Sequence, residues 1–204
     1  FNVYSRAGSD WFKIDDVSGL KKDNNYFKLY YNWPEKTADA EYDDWDLTDR
    51  WAISLQGKYY TEPMDVVVDM PELDGIPLKL ISSGAFYNNA MVTSLTVKNP
   101  IERIAYRAFC NASNLKNVTF YNKGEGIDFI DTLAFSDCRS LESIDLSNSS
   151  ITEIPENAFS NCTSLKTVKL PSTVTKIADD AFADCKKLEE IQGLSNCKIS
   201  EIGK

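Results

Sequence analysis

Histidine is absent from this 204-residue chain. Its absence removes Ser-His-Asp and Cys-His nucleophile systems, His-containing zinc sites and the commonest general base near neutral pH. Basic residues are scarce as well: 22 Lys and Arg face 31 Asp and Glu, for a formal charge of −9. Binding of nucleic acid needs clustered Lys and Arg, and docking on an anionic bilayer needs positive charge, so the composition argues against both. No apolar run approaches the roughly 20 residues that span a bilayer, so no membrane insertion is expected of this segment. G-x-S-x-G, P-loop and G-x-G-x-x-G stretches are lacking. An enzyme built from this sequence would depend on carboxylates, Tyr, Lys or an unaided Cys, and no cofactor is implied. The opening Phe1-Asn2-Val3-Tyr4 reads as a strand with no initiator Met, so the sequence is expected to be a fragment or a mature form.

What is present is a repeat. Apolar residues at Ile101, Ile104, Ala108, Phe109, Ala112, Leu115, Val118 and Phe120 return at Ile127, Ile130, Ala134, Phe135, Cys138, Leu141, Ile144 and Leu146. They return again at Ile151, Ile154, Ala158, Phe159, Cys162, Leu165, Val168 and Leu170, then at Val174, Ile177, Ala181, Phe182, Cys185, Leu188 and Ile191. A rougher copy precedes them at Leu78, Ile81, Ala85, Phe86, Val92, Leu95 and Val97, and Ile199 and Ile202 open a sixth. Chance does not hold seven apolar offsets in register five times. A single unit buries too little to repay the ordering of its backbone, so the units must stack. The L-x-x-V-x-L portion predicts a short strand, and A-F-x-[ND]-C predicts a tight turn or one helical turn on the opposite side.

The pattern I-x-x-I-x-x-x-A-F-x-x-C-x-x-L-x-x-V-x-L-P, followed nearly position for position from Ile151 to Pro171, resembles the BspA-like class of leucine-rich repeats over residues 78–204. Residues 66–78 resemble the capping hairpin that often precedes such arrays. The resemblance implies a right-handed solenoid over 74–204, with about five repeats and the start of a sixth. It also implies a bacterial or protist cell-surface, extracellular protein, in keeping with a lipid anchor outside this sequence, whose role is adhesion to host or cell-surface protein or glycan. A monomer is expected.

Residues 1–73 differ in composition. All four Trp (Trp11, Trp33, Trp45 and Trp51) lie there, and alternation at Leu29-Tyr30-Tyr31-Asn32-Trp33 and Trp51-Ala52-Ile53-Ser54-Leu55 predicts strands of a small antiparallel β-domain. Phe1-x-Val3-x-Ser5, Trp11-Phe12-x-Ile14, Asn32, Arg50-x-Ala52 and Val66-Val67-Val68 resemble the BACON domain, a sandwich of Bacteroidetes surface proteins. The apolar phase after Arg50 runs one residue off, and the usual final Gln is missing. The resemblance implies carbohydrate or mucin contact, or simple spacing. The fold class is therefore mainly β: a leucine-rich-repeat solenoid preceded by a small antiparallel β-sandwich-like domain, incomplete at its N-terminus.

Cys138, Cys162 and Cys185 share one repeat offset with Ala112. A metal or disulfide ladder is one reading. A small residue in a tight buried turn is the simpler one, since Ala substitutes there and no C-x-x-C spacing occurs. Cys110 and Cys197 stand off this row, and a disulfide involving either stays open. The acidic run Asp39, Glu41, Asp43, Asp44, Asp46 and Asp49 surrounds Trp45, which makes Trp45 a candidate for stacking on a sugar. An EF-hand register from Asp44 fails, because Asp49 and Leu55 stand where Gly and Glu are needed, and a solvated loop suffices. A glycosidase pair among Asp43, Asp44 and Asp46 is the least favoured function. Asn111, Asn117, Asn148 and Asn161 head N-x-[ST] triplets that follow from the repeat's own composition.

A partner is expected on the sheet. The strand period turns outward Ser94, Thr96 and Lys98; Asn117, Thr119 and Tyr121; Ser143, Asp145 and Ser147; Thr167, Lys169 and Pro171; and Glu190, Gln192 and Leu194. Of these, Thr119, Tyr121, Asp145 and Lys169 are the candidate ligand-binding residues, with Trp45 from the N-terminal part. The alternative is a solvated strand row on a structural spacer or an accessory subunit of an outer-membrane assembly.

Overall fold

The computed structural model describes residues 3–7, 10–14, 28–31, 51–54, 63–68, 72–73, 76–98, 100–120 and 126–204. Among them every regular element is a strand except one 3-10 turn at Leu194–Asn196. The strands are β1 (Val3–Ala7), β2 (Asp10–Ile14), β3 (Lys28–Tyr31), β4 (Trp51–Ser54), β5 (Met64–Val68), β6 (Glu72–Leu73), β7 (Ile76–Ile81), β8 (Val92–Val97) and β9 (Arg103–Ile104). They continue with β10 (Asn117–Phe120), β11 (Phe129–Ile130), β12 (Ser143–Asp145), β13 (Glu153–Ile154), β14 (Thr167–Lys169), β15 (Lys176–Ile177), β16 (Glu190–Gln192) and β17 (Glu201–Ile202).

The L-x-x-V-x-L segments form one parallel sheet in the order β5-β8-β10-β12-β14-β16. The I-x-x-I segments form a second parallel row, β7-β9-β11 and then β13-β15-β17. The chain is a β-solenoid of about five turns. Alternation buries Leu95, Val118, Ile144 and Val168 from the sheet, and Ile81, Ile104, Ile130 and Ile154 from the second row. Both rows close on a column of phenylalanines. Phe86, Phe109, Phe135, Phe159 and Phe182 stack nearly parallel, with successive centroids 4.9, 4.8, 5.3 and 5.4 Å apart.

Before the solenoid, β1 pairs antiparallel with β2 and parallel with β3, β3 pairs antiparallel with β4, and β4 runs parallel to β7. This path is mixed rather than purely antiparallel. β5 lies before the boundary expected at residue 73, yet it pairs with β8 of the repeat sheet. Asn32, Arg50 and Trp45, which the sequence singled out, lie outside the described residues.

The turn side is neither helix nor loose loop. Each coil passes through the left-handed region twice, at Gly84 and Asn88, Arg107 and Asn111, Leu133 and Asp137, Asn157 and Asn161, and Asp180 and Asp184. This geometry aims the intervening amides at the next coil. Phe86, Phe109, Phe135 and Phe159 donate their amides to Ala108, Ala134, Ala158 and Ala181 at 2.6–2.8 Å. The turns therefore form a third hydrogen-bonded ladder. Gly, Asn and Asp suit these backbone angles, whereas a branched side chain costs about 1–2 kcal/mol there. Leu133, at φ 61°, breaks the rule. Leu133→Asn, the residue Asn157 supplies one coil later, is expected to stabilise the protein by about 1 kcal/mol. Chemical denaturation followed by circular dichroism reads the shift, and a lower midpoint would contradict it.

The cysteine row is structural. Cys138, Cys162 and Cys185 donate their thiols to the carbonyls of Phe109, Phe135 and Phe159 one coil earlier, at 3.1, 3.1 and 3.0 Å. All five cysteines are free, with no bond between Cys110 and Cys197. The first coil carries Asn89 at the same offset, where Oδ1 accepts the amides of Met91 and Val92, both at 2.9 Å. A buried carboxamide thus satisfies the turn within its own coil.

Candidate functional site

The open face of the six-stranded sheet is set by register. One column runs Asp65, Ser94, Asn117, Ser143, Thr167 and Glu190. The next holds Thr96 beside Thr119, then Asp145 beside Lys169 and Gln192. Thr119, Asp145 and Lys169 therefore stand on successive strands, β10, β12 and β14, as expected from the sequence, and all three are exposed.

Among the described residues the members of the expected third column lie beyond the strand ends. β12 and β14 end at Asp145 and Lys169, so strand alternation stops before it can direct Ser147 or Pro171 outward. Pro171 is buried under the turn that follows. Ser147 folds back and donates its hydroxyl and amide to Asp145 Oδ1 at 2.6 and 3.0 Å. Leu194 sits in the 3-10 turn, beyond β16. Tyr121 falls in 121–125, outside the described residues, and with Trp45 it adds nothing to the geometry that follows. Asp43, Asp44 and Asp46 also lie outside them. Among the described residues no group of three or more His, Cys, Asp and Glu could hold a metal ion.

Two opposite-charge pairs lie on this face. Lys169 Nζ lies 3.0 Å from Asp145 Oδ2, and Lys166 Nζ lies 3.6 Å from Glu142 Oε2. Partial desolvation works upward on the Asp145 carboxyl, but the hydrogen bonds from Ser147 and the Lys169 ammonium outweigh it and hold Asp145 below its ordinary value. The sign of the linkage follows. The contribution is present above the unfolded carboxylate range, near 3.9, and is lost as pH falls through the lower folded value. Both partners are about half exposed, so its size stays under about 1 kcal/mol. The stability gap between wild type and Asp145→Asn is therefore expected to hold steady at neutral pH and to close only below about pH 4. Denaturation series at several pH values check this, and a gap that widens in acid would refute the pairing.

Between the paired charges and Asp65, which accepts from Thr93 and Ser94 at 2.7 Å each, lies an uncommitted strip. Asn117, Thr119, Ser143 and Thr167 make no side-chain hydrogen bond among the described residues, and Lys116 stands beside them without an ion pair. Their donors and acceptors are free for a ligand. Lys116, Glu142, Lys166 and Glu189 form a flanking line of alternating sign that the sequence reading passed over; their spacing from the L-x-x-V-x-L valines was the available clue.

The BspA type leucine rich repeat region model matches residues 79–204 in six copies. No curated protein matches the chain in sequence. Among solved structures, a leucine-rich repeat protein of T. pallidum aligns at 26% identity with a TM-score of 0.61, over 76% of this chain and 75% of that one. A leucine-rich cell surface protein of Faecalibacterium prausnitzii shares the fold at 22% identity and a TM-score of 0.56. That alignment covers 94% of this chain and 52% of the neighbour.

Proposed function

Since the chain belongs to the BspA-type leucine-rich repeat family, we propose that it is a non-enzymatic recognition protein of the cell surface that binds host protein or glycan through the open sheet. The observation that carries this reading is the strip of Asn117, Thr119, Ser143 and Thr167, whose polar groups are unspent while the Asp145–Lys169 and Glu142–Lys166 pairs beside them are closed. A rigid row of hydroxyls and amides at strand spacing matches hydroxyls or peptide groups of a ligand without loop ordering. The surface setting draws on the family and on the name of the F. prausnitzii neighbour. The N-terminal segment enters as a BACON-type module, divided from the solenoid near residue 73, that contributes glycan contact through Trp45 or spacing alone.

The test uses a glycan array and a panel of immobilised host matrix proteins. The wild-type chain is expected to bind at least one probe, and Thr119→Arg or Ser143→Arg is expected to weaken that binding at least tenfold while leaving the thermal midpoint unchanged. Absence of binding on both surfaces, or binding indifferent to both substitutions, would remove the reading. The self-matched pairs Asp145–Lys169 and Glu142–Lys166 favour a second reading, an accessory subunit of a surface assembly. Co-purification with an outer-membrane protein, lost on Lys169→Glu, would support it.

A further inference from the structure

The turn ladder carries a second anomaly beside Leu133. Its first left-handed position is occupied in successive coils by Gly84, Arg107, Leu133, Asn157 and Asp180, with φ between 53° and 61°. Three of these suit that backbone. Arg107 and Leu133 do not, and neither recovers the cost through the core: Arg107 is exposed, and Leu133 is half-buried and stands outside the apolar cluster. Strain retained in two adjacent coils without a packing return is a marker of a working surface.

The coil of Arg107 and the coil before it carry aromatic side chains on the turn face. The Arg107 guanidinium lies 5.0 Å from the centre of the Tyr106 ring. Tyr87 is half exposed, and its Cβ lies 3.6 Å from where a Cβ on Gly84 would stand. A Cβ at Gly84 would meet Tyr87 alone within 4 Å. Gly84 donates its amide to Tyr106, and Arg107 donates its own to Thr132 beside Leu133, so the three coils are locked together here. In the later coils the position matching Tyr87 narrows to Ser136, Ser160 and Ala183.

Charge identifies the occupant. Arg103 is paired with Asp131 at 2.7 Å, and Arg139 with Asp137 at 3.0 Å. Arg107 makes no ion pair among the described residues, in a chain whose formal charge is −9. An unpaired guanidinium against one tyrosine ring, with an exposed tyrosine on the coil before and a leucine on the coil after, has the composition of an interface hot spot and calls for a carboxylate beside an apolar group.

We infer that the turn face of the first three coils, built on Tyr87, Tyr106, Arg107 and Leu133, is a second recognition surface that takes an acidic, aromatic-bearing segment of a partner protein. It lies away from the sheet and acts independently of it.

Fluorescence anisotropy with a labelled Asp-Glu-Trp-Glu-Asp peptide, against the uncharged Asn-Gln-Trp-Gln-Asn, tests the inference on the full chain. Wild type is expected to prefer the acidic peptide. Arg107→Asn, which suits the left-handed backbone and so spares the fold, is expected to weaken binding about tenfold, the loss of one charged contact. Tyr87→Ala is expected to weaken it several-fold, and Thr119→Arg on the sheet to leave it unchanged. Four results would overturn the inference: equal binding of the two peptides, binding unaffected by Arg107→Asn, loss of binding in Thr119→Arg, or equal displacement by a sulfated glycan fragment, which would make the site a general anion patch.

Discussion

Phe135→Ala is expected to cost about 3–5 kcal/mol, a large share of the stability of a domain this size. The side chain is fully buried and lies between Phe109 at 4.8 Å and Phe159 at 5.3 Å, so truncation removes two ring contacts as well as the transfer free energy. Its position matters as much as its volume. In an array where each coil touches only its neighbours, a cavity in the middle coil weakens two coil–coil interfaces at once. Unfolding in denaturant, followed by far-ultraviolet circular dichroism, should then change from one transition to two, with a shallower slope. Phe135→Leu, which fills most of the gap, should lose roughly 1 kcal/mol and keep the single transition. A loss for the alanine variant near that of an exposed site would mean that the stack is incidental.

Gly126→Ala is expected to be the second most damaging change, although it adds a single carbon. Here the reason is backbone approach. A Cβ at this position would overlap the carbonyl oxygen of Asn148 and lie 2.8 Å from Ser149 Cα, both backbone atoms of the next coil. Neither can swing aside as a side chain would. The adjacent hydrogen bond from the Ser150 amide to the Ile127 carbonyl, 2.9 Å, holds the two coils together at this place. The coils must part or the turn must re-form, at a cost of about 1–3 kcal/mol. The same denaturation series measures it. Wild-type stability in Gly126→Ala would show that this approach is slack.

The expectation for Phe135 was legible before any coordinates. Its offset recurs at Phe86, Phe109, Phe159 and Phe182, and only a stacked column can take such a row of aromatic side chains out of water. The inward rows followed from the period-2 alternation around Val118, Ile144 and Val168. Outward positions follow strand alternation only as far as the strands run; beyond them Ser147 and Leu194 are still exposed, while Pro171 is buried. Thr119, Asp145 and Lys169 fall within β10, β12 and β14, but Ser147, Pro171 and Leu194 were assigned by extending an alternation that the chain abandons after three residues. Strand length depends on where the return turn packs, and one repeat read alone does not show this. The turn ladder was half visible: Asn111, Asp137, Asn161 and Asp184 mark its second left-handed position, while Arg107 and Leu133 hide the first. Those two residues obscured the pattern because they depart from what the backbone prefers, and the same departure makes them candidates for function. The self-pairing of Asp145 with Lys169 depends on cross-strand register, which hydrophobic spacing leaves open by a residue or more.

The central claim is that the coils are bonded to one another on the turn side as firmly as on the sheet. Native-state hydrogen exchange measures this directly, amide by amide. The amides of Phe109, Phe135 and Phe159, each bonded to the following coil at 2.7–2.8 Å, should exchange as slowly as those of Val118, Ile144 and Val168 in the sheet and be released only by global unfolding. Exchange of the phenylalanine amides at the rate of an open loop, with the sheet amides still protected, would contradict it.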